Sequence, residues 1–263
     1  MTALPHDAPD PGAGAGGGGG SGRERLAARV APADHLHLIP PAGAGVGAEV
    51  ALAEPEPGPL LAGCPYHTAG YRQALKRLLD LILSLLVLLA AAPLMLLLAL
   101  AIKLDSPGPV FYTQERVGLG GRCFRLLKFR SMTVDAEAAT GPVFATRDDP
   151  RTTTVGRVMR RLSLDELPQF INVLRGEMSV VGPRPERPHF VGQFSQAIPG
   201  YAERHAMKAG ITGWAQVNGL RGATSIEERT GYDLAYIAHW SLRLDLKIVL
   251  LTARQIVRGE NAY

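Results

Sequence analysis

Apolar residues are not spread evenly along this chain. From Leu81 to Ile102 they run for about 22 residues without a charge, interrupted in polarity only by Ser84. At 1.5 Å per residue such a helix covers about 33 Å, enough to cross a hydrocarbon core of about 30 Å. A core helix of a water-soluble protein would carry a polar stripe, so the run predicts a helix in a membrane. Pro93 lies near its middle, after Ala92. Proline removes a backbone hydrogen bond and crowds the preceding turn, which makes Ala92-Pro93 the expected membrane break. Basic residues flank both ends, with Arg72, Lys76 and Arg77 before the run and Lys103, Arg116 and Arg122 after it. A spanning helix normally gathers Lys and Arg on one side. Two arrangements remain open: a kinked helix that dips in and returns to the same face, which suits the charges better, and a kinked helix that crosses.

Beyond Lys103 the pattern becomes that of a folded body. Val110 to Gln114 and Cys123 to Met132 alternate in polarity around a Gly118-Leu119-Gly120-Gly121 turn and predict a β-hairpin. No helix carrying Lys-Ser/Thr follows those glycines, so they read as a turn and not as a phosphate loop. A helical pattern runs from Pro168 to Leu174. A longer one runs from Tyr232 to Arg258, with Leu234, Ile237, Leu244, Ile248 and Leu251 on one face. Tyr236 and Trp240 suit either a lipid–water boundary or ordinary core packing. Gly210 to Gly222 reads as a turn-rich loop with an exposed Trp214.

Composition divides the chain at about residue 70. Residues 1–70 hold 14 of the 30 glycines and 10 of the 20 prolines, with 3 basic and 7 acidic residues. Such a segment buries too little apolar surface to offset its ordering entropy, and it shows no basic n-region followed by an apolar run. It predicts a disordered leader, either a passive extension or a partner-binding arm. The remainder carries 25 basic and 17 acidic residues. The expected organisation is therefore a leader at 1–70, a membrane-associated helix at 71–104 and a cytoplasmic catalytic domain at 105–263. Two cysteines, Cys64 and Cys123, exclude a disulfide scaffold, a zinc finger or an iron–sulfur protein. The seven histidines show no ligand spacing.

Candidate chemistry concentrates between residues 157 and 187. Asp165 and Glu166 follow Arg160 and Arg161 and precede a helix. Ser163 to Glu166 fits a capping box, in which Glu166 only satisfies a backbone amide. Pro168 suggests instead a helix starting near 167 or 168. Both readings put two carboxylates at a helix N-terminus, where amides and the dipole favour anions. Gly182-Pro183-Arg184-Pro185 mounts an arginine rigidly between prolines. Arg160 and Arg184, with Lys128 and Arg130 from the second strand, supply the positive field a diphosphate needs. The strand cations also fit a solvated edge protected by charge. Two carboxylates in such a field can hold a divalent cation, and one can attack phosphorus. Phosphoryl transfer requires mainly positioning and charge stabilisation.

Together these segments resemble the bacterial sugar transferases, the monotopic polyprenol-phosphate phosphoglycosyl transferases. The resemblance runs from about Tyr71 to Tyr263. It rests on Lys76-Arg77 with Asp80, KFRSM at Lys128–Met132, SLDELPQ at Ser163–Gln169, VVGPRPE at Val180–Glu186 and GITGWAQVNG at Gly210–Gly219. Tyr232-Asp233, Trp240-Ser241 and Asp245 match as well. The resemblance implies an α+β fold: one re-entrant, Pro-kinked membrane helix, interfacial amphipathic helices and a small cytoplasmic α/β body. It implies transfer of a sugar 1-phosphate from a UDP-sugar to undecaprenyl phosphate, releasing UMP, at the cytoplasmic face of a bacterial inner membrane, with Mg²⁺. Asp165 would be the nucleophile, forming a covalent phosphosugar intermediate, with Glu166 beside it at the metal and Arg160 and Arg184 on phosphate. Lys128 and Arg130 would complete the substrate site. The implied partners are the UDP-sugar, undecaprenyl phosphate and the lipid bilayer; a homodimer is open and nucleic acid is not expected. The chain departs from the pattern in having Ala92-Pro93 where relatives commonly have Ser-Pro. It also has the Gly-rich leader where larger relatives carry a multi-span membrane domain. The competing class is a non-catalytic membrane adaptor, with the acidic pair as a helix cap and the basic patch on anionic lipids.

Overall fold

A computed structural model describes residues 70–258, except 139–140, 147–148 and 223. The expected leader lies outside the described residues. Helix α1 (Gly70–Asp105) contains the whole apolar run and passes through Pro93 as one continuous helix of 36 residues. It is long and apolar enough to cross a membrane. Leu85, Leu86, Leu89, Leu96, Leu97 and Leu100 all point outward, a surface suited to lipid and costly in water.

The hairpin forms as the alternation predicts. β1 (Phe111–Val117) pairs antiparallel with β2 (Cys123–Phe129), in register Phe111↔Phe129 to Val117↔Cys123. β2 stops at Phe129, three residues short of the expected end. Next come α2 (Thr154–Arg161), a 3₁₀ turn at Leu164–Glu166 and α3 (Gln169–Arg175). Among the described residues the second edge of β2 pairs with no third strand. The buried side chain of Asn172 on α3 takes its place, accepting from Leu127 N (2.9 Å) and donating to Arg125 O (2.8 Å).

A second sheet of two parallel strands, β3 (Ser179–Val181) and β4 (Gly210–Thr212), forms the centre of the main core. Between them run α4 (Pro188–Ala197) and a 3₁₀ helix at Tyr201–Ala206, a long crossover of the kind parallel strands require. Gly182 and Gly210 are fixed by close approach. A Cβ on Gly182 would stand 2.2 Å from the Lys208 carbonyl oxygen, and one on Gly210 would stand 2.1 Å from Gly182 N. The stretch read as a loop at 210–222 is therefore β4 followed by the short helix α5 (Trp214–Val217). Trp214 is half-buried against the core, with the Lys247 ammonium 5.3 Å from its ring centroid.

The expected helix from Tyr232 to Arg258 is two helices, α6 (Ile226–Ala238) and α7 (Leu242–Arg258). The break at 239–241 lets Trp240 fold inward. Trp240 is 2% exposed and Tyr236 1%, so both belong to the core and not to a lipid boundary. Their polar atoms meet one carboxylate. Asp245 accepts from Tyr236 OH (2.6 Å), Trp240 Nε1 (3.2 Å) and Lys76 Nζ (2.7 Å). Lys76 lies on α1, so this buried cluster fastens the start of the long apolar helix to the body. Asp80, one turn later, accepts from Val180 N (2.9 Å) and Ser179 Oγ (3.0 Å), and Arg77 donates to the carbonyls of Val173 and Leu174.

Removing one partner of a buried ion pair leaves the other charge uncompensated, at a cost of about 3–5 kcal/mol, whereas an apolar pair is tolerated. Asp245→Ala should therefore lower the melting temperature in detergent sharply. Adding Lys76→Met should recover much of that loss. Equal melting of Asp245→Ala and the parent would show that the cluster does not hold the helix.

Candidate active site

Asp165 and Glu166 occupy the 3₁₀ turn, and neither is a helix cap. Ser163 adopts a left-handed conformation (φ 56°) and makes no side-chain cap. The Glu166 carboxylate turns away from the Ser163 amide and takes two cations instead. Lys128 Nζ on β2 lies 2.8 Å from Glu166 Oε1, and Arg184 Nη2 lies 2.7 Å from the same oxygen. The capping box does not form because two charge-assisted bonds outweigh one amide bond. Nor does a helix dipole hold the pair: α3 begins at Gln169 and has 7 residues. Side-chain cations supply the field.

Each cation has a rigid mount. Lys128 sits on β2, between the β1 ladder and Asn172. Arg184 is clamped on the loop after β3: its carbonyl accepts from Arg204 Nη2 (3.2 Å), the Pro183 carbonyl from Gly210 N (2.9 Å) and the Pro185 carbonyl from Arg116 Nη1 (3.0 Å). Arg204 pairs with buried Asp233 on α6 (2.7 Å). Leu164 and Leu167, on either side of the acidic pair, pack against the buried cluster of Ile102, Phe129 and Met159, against which Met95, Leu98 and Ala99 of α1 also pack.

Asp165 is 8% exposed and lines a cavity of about 570 Å³, within the roughly 300–1,000 Å³ of small-molecule sites. Arg160, Arg184 and Lys128 line the same cavity, so the structure brings together four of the residues expected at the site, with Glu166 directly behind them. Among the described residues eight Lys/Arg and four Asp/Glu side chains line it, an excess of positive charge that favours a polyanionic ligand. Arg130 lines the cavity too, but its guanidinium is turned onto carbonyls at and just beyond the C-terminus of α1. Ala92 and Pro93 are exposed on α1, within the outward-facing apolar run and away from the carboxylates in sequence.

Burial raises the Asp165 carboxyl above the ordinary aspartate range, and the Glu166 charge adds to this; Lys128, Arg160 and Arg184 oppose it. Burial would raise Glu166 as well, but Arg184 and Lys128 in contact hold it well below the ordinary glutamate range. The pair is thus split into a fixed anion and a poised one. Among the described residues no three His, Cys, Asp or Glu side chains converge as a metal site.

Sequence reasoning missed several residues of the far wall. Buried Glu186 is approached by Arg116 and Arg229, each at 3.5 Å. Arg187 holds Glu137 through two bonds of 2.8 and 2.9 Å, and Phe144 stacks on Phe190 with centroids 4.3 Å apart. Glu186 lay within VVGPRPE and Asp233 within the Tyr232-Asp233 pair. Arg229 precedes Asp233 by four residues, which places both on one face of α6; that was the available signal.

Residues 71–259 match the family model described as bacterial sugar transferase, and the chain belongs to that family. Over 199 residues it is 50% identical to a UDP-glucose:undecaprenyl-phosphate glucose-1-phosphate transferase of Escherichia coli (strain K12), covering 74% of this chain and 43% of the relative. It is 48% identical over 192 residues to a protein of the same name from Caulobacter vibrioides, covering 72% of each. A UDP-N-acetylgalactosamine-undecaprenyl-phosphate N-acetylgalactosaminephosphotransferase of Aeromonas hydrophila is 47% identical over 190 residues, covering 72% of this chain and 45% of the relative. The chain thus spans less than half the length of several curated relatives it matches.

The split between the carboxylates gives a titration test. With ¹³C-carboxyl labels in micelles, Asp165 should titrate above the ordinary aspartate range and Glu166 below the ordinary glutamate range. The Glu166 pairs then contribute stability at neutral pH that is lost as pH falls through its depressed value, whereas ionised Asp165 costs stability above its own raised value. Glu166→Gln removes a repelling charge and releases two cations, so Asp165 should move down. An upward shift would contradict this electrostatic account.

Proposed function

We propose that this chain transfers a sugar 1-phosphate from a UDP-sugar to undecaprenyl phosphate, releasing UMP and forming a polyprenyl-diphosphate-sugar. The observation that carries the reading is the division of labour between the two acids: Glu166 is neutralised by Lys128 and Arg184, and Asp165 faces a cation-rich cavity. In the first step a carboxylate oxygen of Asp165 bonds to the sugar-linked phosphorus. The bridging P–O bond breaks and the electron pair leaves with UMP. In the second step a phosphate oxygen of the lipid carrier attacks the same phosphorus, and the acyl-phosphate bond breaks to regenerate the Asp165 carboxylate. Nucleophilic catalysis of this kind divides one difficult displacement into two. Arg160, Arg184 and Lys128 offset the charge that would otherwise repel the carboxylate from phosphate.

A Mg²⁺ ion fits this donor set as one that brings most of its ligands as phosphate oxygens and water. Of the two acids expected to hold it, Asp165 faces the cavity and would be the protein ligand, whereas Glu166 is taken up by Lys128 and Arg184; when bound, the ion would neutralise charge on the diphosphate.

The membrane arrangement we favour is re-entrant, with the body at the cytoplasmic face of the inner membrane. What supports it is that both ends of α1 are tied to one folded body. Lys76, Arg77 and Asp80 are hydrogen-bonded into the core near its start. At its end Ile102 packs with Phe129 and Met159, and Asp105 Oδ2 accepts from Val155 N at 3.0 Å. A crossing helix would separate these two sets of contacts by the hydrocarbon thickness. The outward stripe of Leu246, Leu250 and Val257 on α7, edged by Lys247, Arg254 and Arg258, has the composition of an interfacial helix. The turn carrying Asp165 shares a buried cluster with the end of α1, which would bring the nucleophile near the headgroups where the lipid phosphate arrives.

The names of the relatives make UDP-glucose the first donor to assay, with UDP-N-acetylgalactosamine second, using undecaprenyl phosphate as acceptor and UMP release as the readout. Asp165→Asn should abolish turnover and leave membrane localisation intact. A donor labelled in its sugar-linked phosphate should leave label on the parent protein and none on the variant. Normal turnover in Asp165→Asn would end the proposal. For the topology, single cysteines at positions 71 and 106, in a background with Cys64→Ser and Cys123→Ser, should react with an impermeant reagent from the same side of sealed vesicles. Labelling from opposite sides would mean a crossing helix.

A further inference from the structure

Residues 128–131, at and just beyond the end of β2, each go to a different part of the site. Lys128 reaches Glu166. Phe129 is buried with Ile102 of α1 and Met159 of α2. The Ser131 carbonyl accepts from Thr153 N (3.1 Å) and lies so close under α2 that a Cβ on Gly156 would stand 2.0 Å from it. Arg130 is 5% exposed, and its guanidinium donates to the carbonyls of Pro107, Ser106 (2.8 Å) and Ile102 (3.5 Å). Ile102 lies in the last turn of α1, and Ser106 and Pro107 follow its end at Asp105, where the dipole of a helix C-terminus favours a cation.

The turn after α1 is shaped around this guanidinium. Gly108 has φ +121°, and a Cβ there would stand 2.7 Å from Arg130 Nη1. Lys103 of α1 donates to the Gly108 carbonyl at 2.8 Å, and the Arg130 amide donates to the Val110 carbonyl at 2.9 Å. The side chain therefore bridges the end of the membrane helix to the strand that carries Lys128.

We infer that Arg130 is a positioning residue and not a phosphate ligand: by closing α1 it sets β2, and with it the Lys128 contact to Glu166, against the membrane helix. The kinetic consequence rests on the phosphotransfer reading above; the contact itself does not. A fork of donors is needed to serve three carbonyls, and lysine supplies its donors from a single nitrogen. A displacement of about 1 Å at a catalytic group costs up to about 100-fold in rate.

The test uses the full chain in lipid nanodiscs. Arg130→Gln should lower kcat by about 10- to 100-fold while KM for the UDP-sugar changes by less than about twofold, the signature of an interaction outside uniform substrate binding. Arg130→Lys should fall between the two. Hydrogen exchange at residues 103–108 should accelerate in Arg130→Gln and stay unchanged in Asp165→Asn. Gly108→Ala keeps the arginine and places its methyl against the guanidinium, so it should reproduce both effects. The double variant should lose little more than either single one, as coupled positions do. A raised KM with unchanged kcat would make Arg130 a substrate ligand and overturn the inference. So would additive losses, or exchange at 103–108 identical to the parent. If the parent turned over no UDP-sugar, the phosphotransfer reading would fail, and the exchange measurements would still decide the Arg130 contact.

Discussion

Two cations converge on Glu166, and the rest of the site follows from that contact. Adjacent carboxylates in a low-dielectric turn repel each other and both lose hydration. Lys128 and Arg184 relieve this by neutralising one acid completely and leaving the other in a positive field. The two cations come from elements with no sequence continuity, β2 and the loop after β3, so the contact requires both sheets to be in place. The Asn172 staple on β2, the close-packed Gly182 and Gly210, and the Arg204–Asp233 pair behind Arg184 all fix one end or the other of this pair of bonds. The wall of the cavity is thus assembled around one neutralised carboxylate.

A buried ionic network of this density stabilises little in itself, because desolvation offsets most of the attraction. Stability comes from the apolar layers: the core of Val173, Met178, Val181, Ile237 and Ile248, and the smaller cluster of Ile102, Phe129 and Met159. The second cluster has a double task. It buries apolar surface, and it brings the acidic turn, through Leu164 and Leu167, and the end of α1, through Ile102, into one cluster. Local packing and the location of the chemistry are therefore set by the same side chains.

Much of this was legible in the sequence, and the residues show where legibility stops. The apolar run, the hairpin alternation and the adjacency of Asp165 and Glu166 are local patterns, and the helix and hairpin they predict both form. Local rules also allowed Ser163 to Glu166 to be a cap. Only Lys128 and Arg184, 38 and 18 residues from Glu166, decide against it. The helix drawn through 239–241 failed for the same reason. The pattern of apolar positions continues across the break, but Trp240 must turn inward to give its indole N–H to Asp245, a bond that matters only once Lys76 has brought α1 alongside. Arg130 had the residue type of a phosphate ligand and an expected place on the second strand, which ends one residue before it. Its partners are carbonyls, which have no signature in the sequence.

The two attachments of α1 differ in kind, and the difference bears on how a small body can work at a bilayer. Near its start the helix is held by a buried ion pair and by Asp80 on the backbone of β3, contacts that end in the core and touch no part of the cavity. At its end it is held by Arg130 and Asp105, which lead within one or two residues to Lys128 and to the start of α2, the helix of Arg160. A displacement at the first attachment would meet packed apolar layers; one at the second would meet side chains that line the cavity. A helix fixed firmly at one end and coupled to the site at the other would make the depth at which its apolar middle sits in lipid a variable that the acidic turn experiences directly.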